Sequence, residues 1–360
     1  MMDDAATKAL ELIEELERTE NRNKIKYLYA KLAEDGHEGG PYDWQHKWHD
    51  AGADSPERAI IAGNRTGKTR TAGAEVAVHL TGIYPEWWKG RRFKQPNKWI
   101  VAGPTNELTR DVCQQMLFGD MMEGVKEPNG EGWVPKSCIG EFSYRQCGVQ
   151  NVLDNVRVKH VTGGWSEVAF KSYEQGNVKF QGVSRDGVWL DEEPTDSTIF
   201  TECQTRVLDR KGLVMFTRTP LFGMSDIIRH FLSGGDGIFY TSATWEESPH
   251  LSKVERDRLY MSYPEHERAT RAKGVPMMGS GGVYTVADEE IMCDPFEIPS
   301  YYRRIVGIDF GIDHPAAAAW IAFDADTDVI YVTDCYKKSG ETALYHANAI
   351  SQRGDWIPVA

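Results

Sequence analysis

The stretch Ala59-Ile-Ile-Ala-Gly-Asn-Arg-Thr-Gly-Lys-Thr-Arg-Thr71 restricts the folds open to this chain more than any other. An apolar run, Ile60 to Ala62, predicts a strand. A glycine turn follows, and from Gly67 a helix is expected through Ala72, Ala74, Val76, Ala77 and Leu80. Ala62, Gly63, Asn64, Arg65, Thr66, Gly67, Lys68 and Thr69 together fill the pattern Ala/Gly-x4-Gly-Lys-Ser/Thr of a phosphate-binding loop. The spacing has a physical reason. Successive backbone N–H groups at a helix N-terminus cradle a polyphosphate, and the helix dipole favours its charge. Lys68 can then reach the β- and γ-phosphates of ATP, and the Thr69 hydroxyl can ligate Mg²⁺. Such a strand, loop and helix belong in an α/β fold, a P-loop parallel sheet of RecA/ASCE type flanked by helices.

A second stretch, Val188-Trp-Leu-Asp-Glu-Glu-Pro194, carries a buried strand to an acidic C-terminal end. Open α/β sheets bind ligands at that edge. Asp191 is placed there to hold Mg²⁺ through water, and Glu192 to orient and deprotonate the attacking water; Glu193, one step further out, is the alternative base. Gly212-Leu-Val-Met-Phe-Thr-Arg-Thr-Pro220 reads as a third strand, bringing Thr217, Arg218 and Thr219 either to a γ-phosphate or simply to a strand exit. Lys98 to Ala102 and Gly237 to Ser242 supply two more strands. Upstream, Gln45 sits among Tyr42, Trp44 and Trp48, where it either hydrogen-bonds an adenine edge or serves the local packing.

Domain limits follow from the changes in pattern. Residues 1–40 read as a helical arm, with a charged helix over residues 3–35. Residues 41–295 read as one P-loop domain, with a β-rich insertion at about 119–165 and a Gly/Met-rich linker at Gly274 to Gly282. Residues 296–360 open a different pattern. Strands Arg303 to Asp309, Ala316 to Phe323 and Val329 to Asp334 precede a helix at Glu341 to Gln352 and a further strand from Trp356. This βββαβ order is how a ribonuclease-H-like domain starts, and Asp309 ends its first strand. Asp313 is a second acid nearby. Both are either metal ligands or solvated strand-exit residues.

Composition narrows the partners. The formal net charge of −13 argues against coating nucleic acid through bulk charge, while leaving room for a local basic surface. Lys89, Arg91, Arg92, Lys94 and Lys98, interleaved with Trp87, Trp88 and Phe93, form either such a surface or a solvated loop. No apolar run approaches the ~18 residues of a membrane span, and six scattered cysteines without a C-x-x-C pair fit a reducing, cytoplasmic compartment.

Taken in order, these motifs resemble the large terminase subunit of tailed bacteriophages. The resemblance runs over nearly the whole chain. It rests on Gln45, Gly-Asn-Arg-Thr-Gly-Lys-Thr, Val-Trp-Leu-Asp-Glu-Glu, Thr-Arg-Thr-Pro, Glu-Ser-Pro-His-Leu-Ser, Gly-Gly-Val-Tyr and Gly-Ile-Asp-Phe-Gly. It implies an ATP-driven motor that translocates double-stranded DNA into a procapsid. Lys68 and Thr69 then bind MgATP, Glu192 is the catalytic base, and Arg65 senses or stabilises the γ-phosphate. The implied partners are DNA, the portal and procapsid, a small terminase subunit and further copies in a homo-oligomeric ring, met in the host cytoplasm. Asp309 would ligate Mg²⁺ or Mn²⁺ for an endonuclease. A two-metal nuclease needs several carboxylates converging on ions about 4 Å apart, and up to Ala360 only Asp309, Asp313 and Glu341 are at hand. The expectation for residues 1–360 is therefore ATPase activity without robust DNA cleavage, from a fragment or a truncated product. A helicase-like ATPase would need a second RecA-like domain after residue 300, and a prophage remnant would keep only the ATPase.

Overall fold

A computed structural model describes residues 15–16, 24–26, 29, 41–120, 127–221, 225–274, 291–311, 315–353 and 358. The chain divides into two compact units, Met1–Ala287 and Asp288–Ala360. In the first, β1 (Glu57–Ile61), β2 (Lys98–Gly103), β3 (Ile139–Tyr144), β4 (Leu153–Lys159), β5 (Trp165–Ser172), β6 (Gly187–Asp191), β7 (Leu213–Arg218) and β8 (Ile238–Thr241) form one sheet. Their order is β3-β4-β5-β2-β6-β7-β1-β8. Neighbours from β5 to β8 run parallel, and β3 and β4 add an antiparallel edge.

The central strands are apolar at nearly every position because both faces are covered. Ile60, Trp99, Val101, Trp189 and Met215 pack on one face with Ala72 and Val76 of α2 (Lys68–Thr81) and with Trp44 and Trp48 of α1 (Asp43–Ala51). Ala59, Ile61, Ile100, Val188, Leu190, Val214 and Phe216 pack on the other. Their partners are α3 (Thr198–Leu208), through Ile199, Phe200, Cys203 and Val207, and α4 (Asp226–Ser233), through Ile227, Ile228 and Phe231. Period-2 alternation thus divides each strand between two helical layers, and each fully buried large side chain contributes roughly 1.5–3 kcal/mol. After β8 come α5 (Lys253–Ser262), started by a Ser252–Glu255 capping box, and α6 (Glu265–Lys273), ended at Gly274 in the left-handed region.

The strand order positions the chemistry. β7 lies between β1 and β6, so its C-terminal residues separate the phosphate loop from the acidic strand end. In register, Asp191 stands beside Thr217 and Ile61 beside Arg218. β1 is longer than its apolar run suggests, because Glu57 and Arg58 belong to it and Arg58 is fully buried.

The basic run before β2 is built as a packed loop. Trp88 is buried and its indole N–H donates to the Arg91 carbonyl (3.0 Å). The Arg91 and Arg92 guanidinium groups lie 5.0 Å over the rings of Phe93 and Tyr84. Its aromatic residues therefore serve the fold, and Lys89, Lys94 and Lys98 remain exposed.

The second unit holds β9 (Arg303–Asp309), β10 (Ala316–Asp324) and β11 (Val329–Lys338) as an antiparallel sheet in the order β11-β10-β9, followed by α7 (Ala343–Ser351). Val306, Ala318 and Trp320 form its small core. Most of the expected arm over residues 3–35, the linker after Gly274, Asp313 and the strand expected from Trp356 lie outside the described residues.

Candidate active site

The loop between β1 and α2 is closed by its own hydrogen bonds. The Lys68 ammonium and the Thr66 hydroxyl both donate to the Gly63 carbonyl (2.8 and 3.0 Å), and the Thr71 N–H and hydroxyl donate to the Gly67 carbonyl (2.9 Å each). Gly67 has φ +101°, which gives a side-chain-free turn directly before the helix N-terminus. Gly63 is hemmed in from outside, since a Cβ there would stand 2.7 Å from the Arg271 carbonyl oxygen and 2.8 Å from that of Ala272.

Residues far along the chain complete the loop. The Asn64 N–H donates to the Arg271 carbonyl (2.7 Å), the Gly63 N–H to that of Ala243 (3.2 Å), and the Trp245 indole to that of Asn64 (2.8 Å). His250 Nε2 donates to the Arg65 carbonyl (2.9 Å), leaving Nδ1 to accept from the Tyr42 hydroxyl (2.9 Å) with the two rings stacked. The sequence marks His250 only as a member of a motif, and no local signal links it or Trp245 to the loop. Arg65 itself is exposed at φ +59°.

Three threonines connect loop and acids. Asp191 Oδ1 accepts from Thr217 (2.6 Å) and from Thr69 (3.1 Å), so the loop hydroxyl and the strand-end carboxylate already face each other. Thr219 accepts from Lys68 (2.8 Å) and donates to the Asn64 side chain (2.9 Å). Its N–H also donates to Glu192 Oε2 (3.4 Å). Burial pushes the Lys68 pKa down against the pull of Glu192 and Asp191. Burial likewise raises Asp191, against the Thr217 bond.

The neighbouring acids differ sharply. Glu193 forms an ion pair with the buried Arg218 of β7. Glu192 has no such pair within bonding distance among the described residues. Burial, reinforced by Asp191 and only partly offset by Lys68, pushes its pKa up to about 7. Its backbone stands at φ +60°, unusual for a residue with a Cβ.

Gln45 lies beside the loop rather than in the open cleft. Its carbonyl accepts from the Tyr42 N–H (2.9 Å) and its amide donates to Thr71 (2.8 Å). Asp309 is exposed at the end of β9. No group of three or more His, Cys, Asp or Glu converges as a cation site among the described residues.

The arrangement pairs a glycine-cradled, desolvated lysine with a Thr–Asp couple and a second carboxylate, both acids raised by burial. A family model for the terminase large subunit, T4likevirus-type, N-terminal, matches residues 59–291. The terminase large subunit of Salmonella phage P22 is 38% identical over 370 residues, spanning 98% of this chain and 72% of that protein. This chain belongs to the terminase large subunit family. The large subunit of Enterobacteria phage LP7 is 37% identical over 164 residues, or 45% of this chain and 34% of that one. A solved large terminase from a thermophilic bacteriophage covers 87% of this chain and 74% of its own, at 14% identity and a TM-score of 0.48. The family model falls on the α/β unit that holds the phosphate loop. Among the described residues no helix is long and apolar enough to cross a membrane.

Proposed function

We propose that this large terminase subunit hydrolyses ATP in the cleft between the phosphate loop and the end of β6, and couples that hydrolysis to moving double-stranded DNA into a procapsid. The observation that carries the proposal is the convergence of Lys68 and Glu192 on Thr219, beside the Asp191 carboxylate that faces Thr69. In it Lys68 meets the β- and γ-phosphates of ATP, exchanging its bonds to Gly63 and Thr219 for phosphate oxygens. Thr69 and Asp191, a hydroxyl and a carboxylate already facing each other, are the residues that would hold Mg²⁺, whose charge would offset that of the phosphates. Glu192 accepts the proton of the attacking water, because a carboxylate titrating near 7 is both ionised and basic enough at neutral pH. Glu193, committed to Arg218, is left to hold the end of β7. Gln45 supports the loop through Thr71, and its second amide N–H is the group proposed to meet an adenine edge.

The direct test is nucleotide binding. Lys68→Ala should lose measurable ATP affinity in a fluorescence or calorimetric titration while keeping a cooperative thermal transition. Normal affinity in that variant would remove the loop from the nucleotide site.

Arg65 is proposed to act on the transition state. It is exposed in the loop, with its carbonyl anchored by His250 and its cationic side chain available to the γ-phosphate. Such a cation stabilises developing charge and is worth several orders of magnitude in rate. Arg65→Ala is therefore expected to lower kcat at least 100-fold and leave ATP affinity within about tenfold. A defect confined to binding would reduce Arg65 to a structural part of the loop.

The same family membership carries the remaining proposals. The partners are the portal of the procapsid, a small terminase subunit and further copies of this chain in a ring, acting in the host cytoplasm. The second unit is proposed to be the start of a ribonuclease-H-like nuclease, with Asp309 and Asp313 as candidate ligands of Mg²⁺ or Mn²⁺.

A further inference from the structure

The acid that carries the proposed proton transfer stands in a backbone conformation that residues with a Cβ rarely adopt, and something must hold it there. On one side the Glu192 N–H donates to the Thr217 carbonyl of β7 (2.7 Å). On the other, a single buried side chain from β5's C-terminal end reaches across. The Tyr173 hydroxyl lies 2.8 Å from the Glu192 carbonyl, 3.1 Å from that of Asp191 and 3.3 Å from that of Ala102. The ladder between β2 and β6 ends at Ala102 and Leu190. The Tyr173 hydroxyl thus meets the carbonyls of these strand ends just where sheet pairing stops, and buried carbonyls left without donors are costly. Its ring packs with Phe180 in the core below the site.

We propose that Tyr173 is a positioning residue for ATP hydrolysis, which fixes the peptide carbonyls on both sides of the Glu192 Cα and so aims the Glu192 carboxylate at the nucleophilic water. The inference rests on Glu192 being the base. The tyrosine's one proton is shared among three carbonyls and favours Glu192, the nearest. Burial raises its pKa well above the usual phenol value, so it stays a donor across the working pH range. Without that donor the 192 peptide is free to leave the left-handed region. Glu192 then turns away from Thr219 and Lys68, while the loop that grips the phosphates is untouched. The groups facing the carboxylate are Asp191 on its own strand, Arg218 and Thr219 from the end of β7, and Lys68 from α2. A change in the aim of Glu192 therefore alters its charge environment as well as its reach.

The test is Tyr173→Phe in the full chain, alone and combined with Glu192→Gln. The single variant is expected to lower kcat about tenfold or more and leave the ATP Kd within about twofold. Amide hydrogen exchange in a peptide spanning residues 188–196 should quicken at least tenfold, with the peptides of β1 and β7 unchanged. In the double variant Tyr173→Phe should add no further loss, since a residue acting through Glu192 has nothing left to position. Wild-type kcat and exchange in Tyr173→Phe would overturn the proposal, as would a further tenfold loss on top of Glu192→Gln. Loss of ATP binding would make Tyr173 a structural residue and overturn it equally. Full turnover in Glu192→Gln alone would remove the base, and the positioning role with it, whereas a slow Glu192→Gln beside a normal Tyr173→Phe would sink the positioning role only.

Discussion

Glu192→Gln is expected to bind MgATP as well as the unaltered protein and to hydrolyse it at least 100-fold more slowly. The amide keeps the size of the side chain and can still accept from the Thr219 N–H. What it loses is the ability to take a proton, and a positioned general base is worth roughly 10²–10⁴ in rate. Glu193→Gln provides the contrast, with turnover held within about tenfold, since Glu193 is engaged by Arg218. Two pH effects accompany the prediction. Below about 7 Glu192 is protonated and cannot act as base, so kcat/KM should fall on the acid side with a midpoint near that value. The stability effect has the opposite direction. A carboxyl raised from 4.5 to about 7 contributes stability that is fully present below pH 4.5 and lost as pH rises through 7. Glu192→Gln escapes that loss, so at pH 8 the nucleotide-free variant should melt a few degrees higher, a gain on the order of 1–2 kcal/mol. Undiminished turnover in Glu192→Gln would refute the assignment outright.

Glu75→Ala should cost about 3–5 kcal/mol of folding free energy, although Glu75 touches neither loop nor acids. Glu75 is fully buried on α2 and accepts from Nη1 and Nη2 of Arg58 on β1, from His49 Nδ1 of α1 (2.8 Å) and from His79 Nε2 (3.3 Å). Tyr29 closes the far side of His49 (2.9 Å) and Tyr84 that of His79 (3.0 Å). The Arg58 guanidinium also lies 4.6 Å over the Trp48 ring. One carboxylate therefore ties together the three elements that surround the phosphate loop, and its removal leaves a buried guanidinium without its counter-charge. The pH dependence follows from the shifts. Arg58, with help from His49 and His79, holds Glu75 well below the usual carboxylate range despite burial. Burial holds both histidines below 6.5 and neutral. Each depressed group contributes stability that is present above its unfolded value and lost as pH falls. The decline should start near pH 6.5 with the histidines and steepen below 4.5 with Glu75. Thermal unfolding of the two proteins from pH 4 to 8 checks this, and a Glu75→Ala melting point within 2 °C of the unaltered protein at pH 7 would show the network to be energetically idle.

The architecture of the first unit is readable from its sequence because buried parallel strands are continuous apolar runs, and Ala59–Ala62, Trp99–Ala102, Val188–Leu190 and Leu213–Phe216 are such runs. β5 is less visible, since Trp165 to Ser172 mixes serine, glutamate and lysine into a strand beside the antiparallel edge. The phosphate-loop helix shows the opposite failure. Its Glu75 and His79 look like a solvent face, yet both are buried, because the residues that neutralise them come from α1 and β1. The same non-locality limits the site. Glu192 and Glu193 are adjacent and chemically identical in sequence, and it is the Arg218 ion pair, brought across by the β6–β7 pairing, that distinguishes Glu193 in the fold. Tyr173 is one tyrosine among many until the strand order sets it under the end of β6. Trp87 and Trp88 read as part of either a basic surface or a solvated loop because sequence does not reveal that His49, His79 and Tyr84 surround them.

The hydrogen bonds that close the phosphate loop have a bearing on how this protein is made. Asn64 and Gly63 are held by Ala243, Trp245 and Arg271, so the loop waits for residues translated about 200 positions later. At roughly 5–20 residues per second that interval is on the order of 10–40 s. During it the nascent strand and helix exist without the carbonyls that fix their connecting turn. A growing chain on the ribosome should therefore gain nucleotide affinity abruptly, when α6 emerges, and not gradually as the sheet assembles.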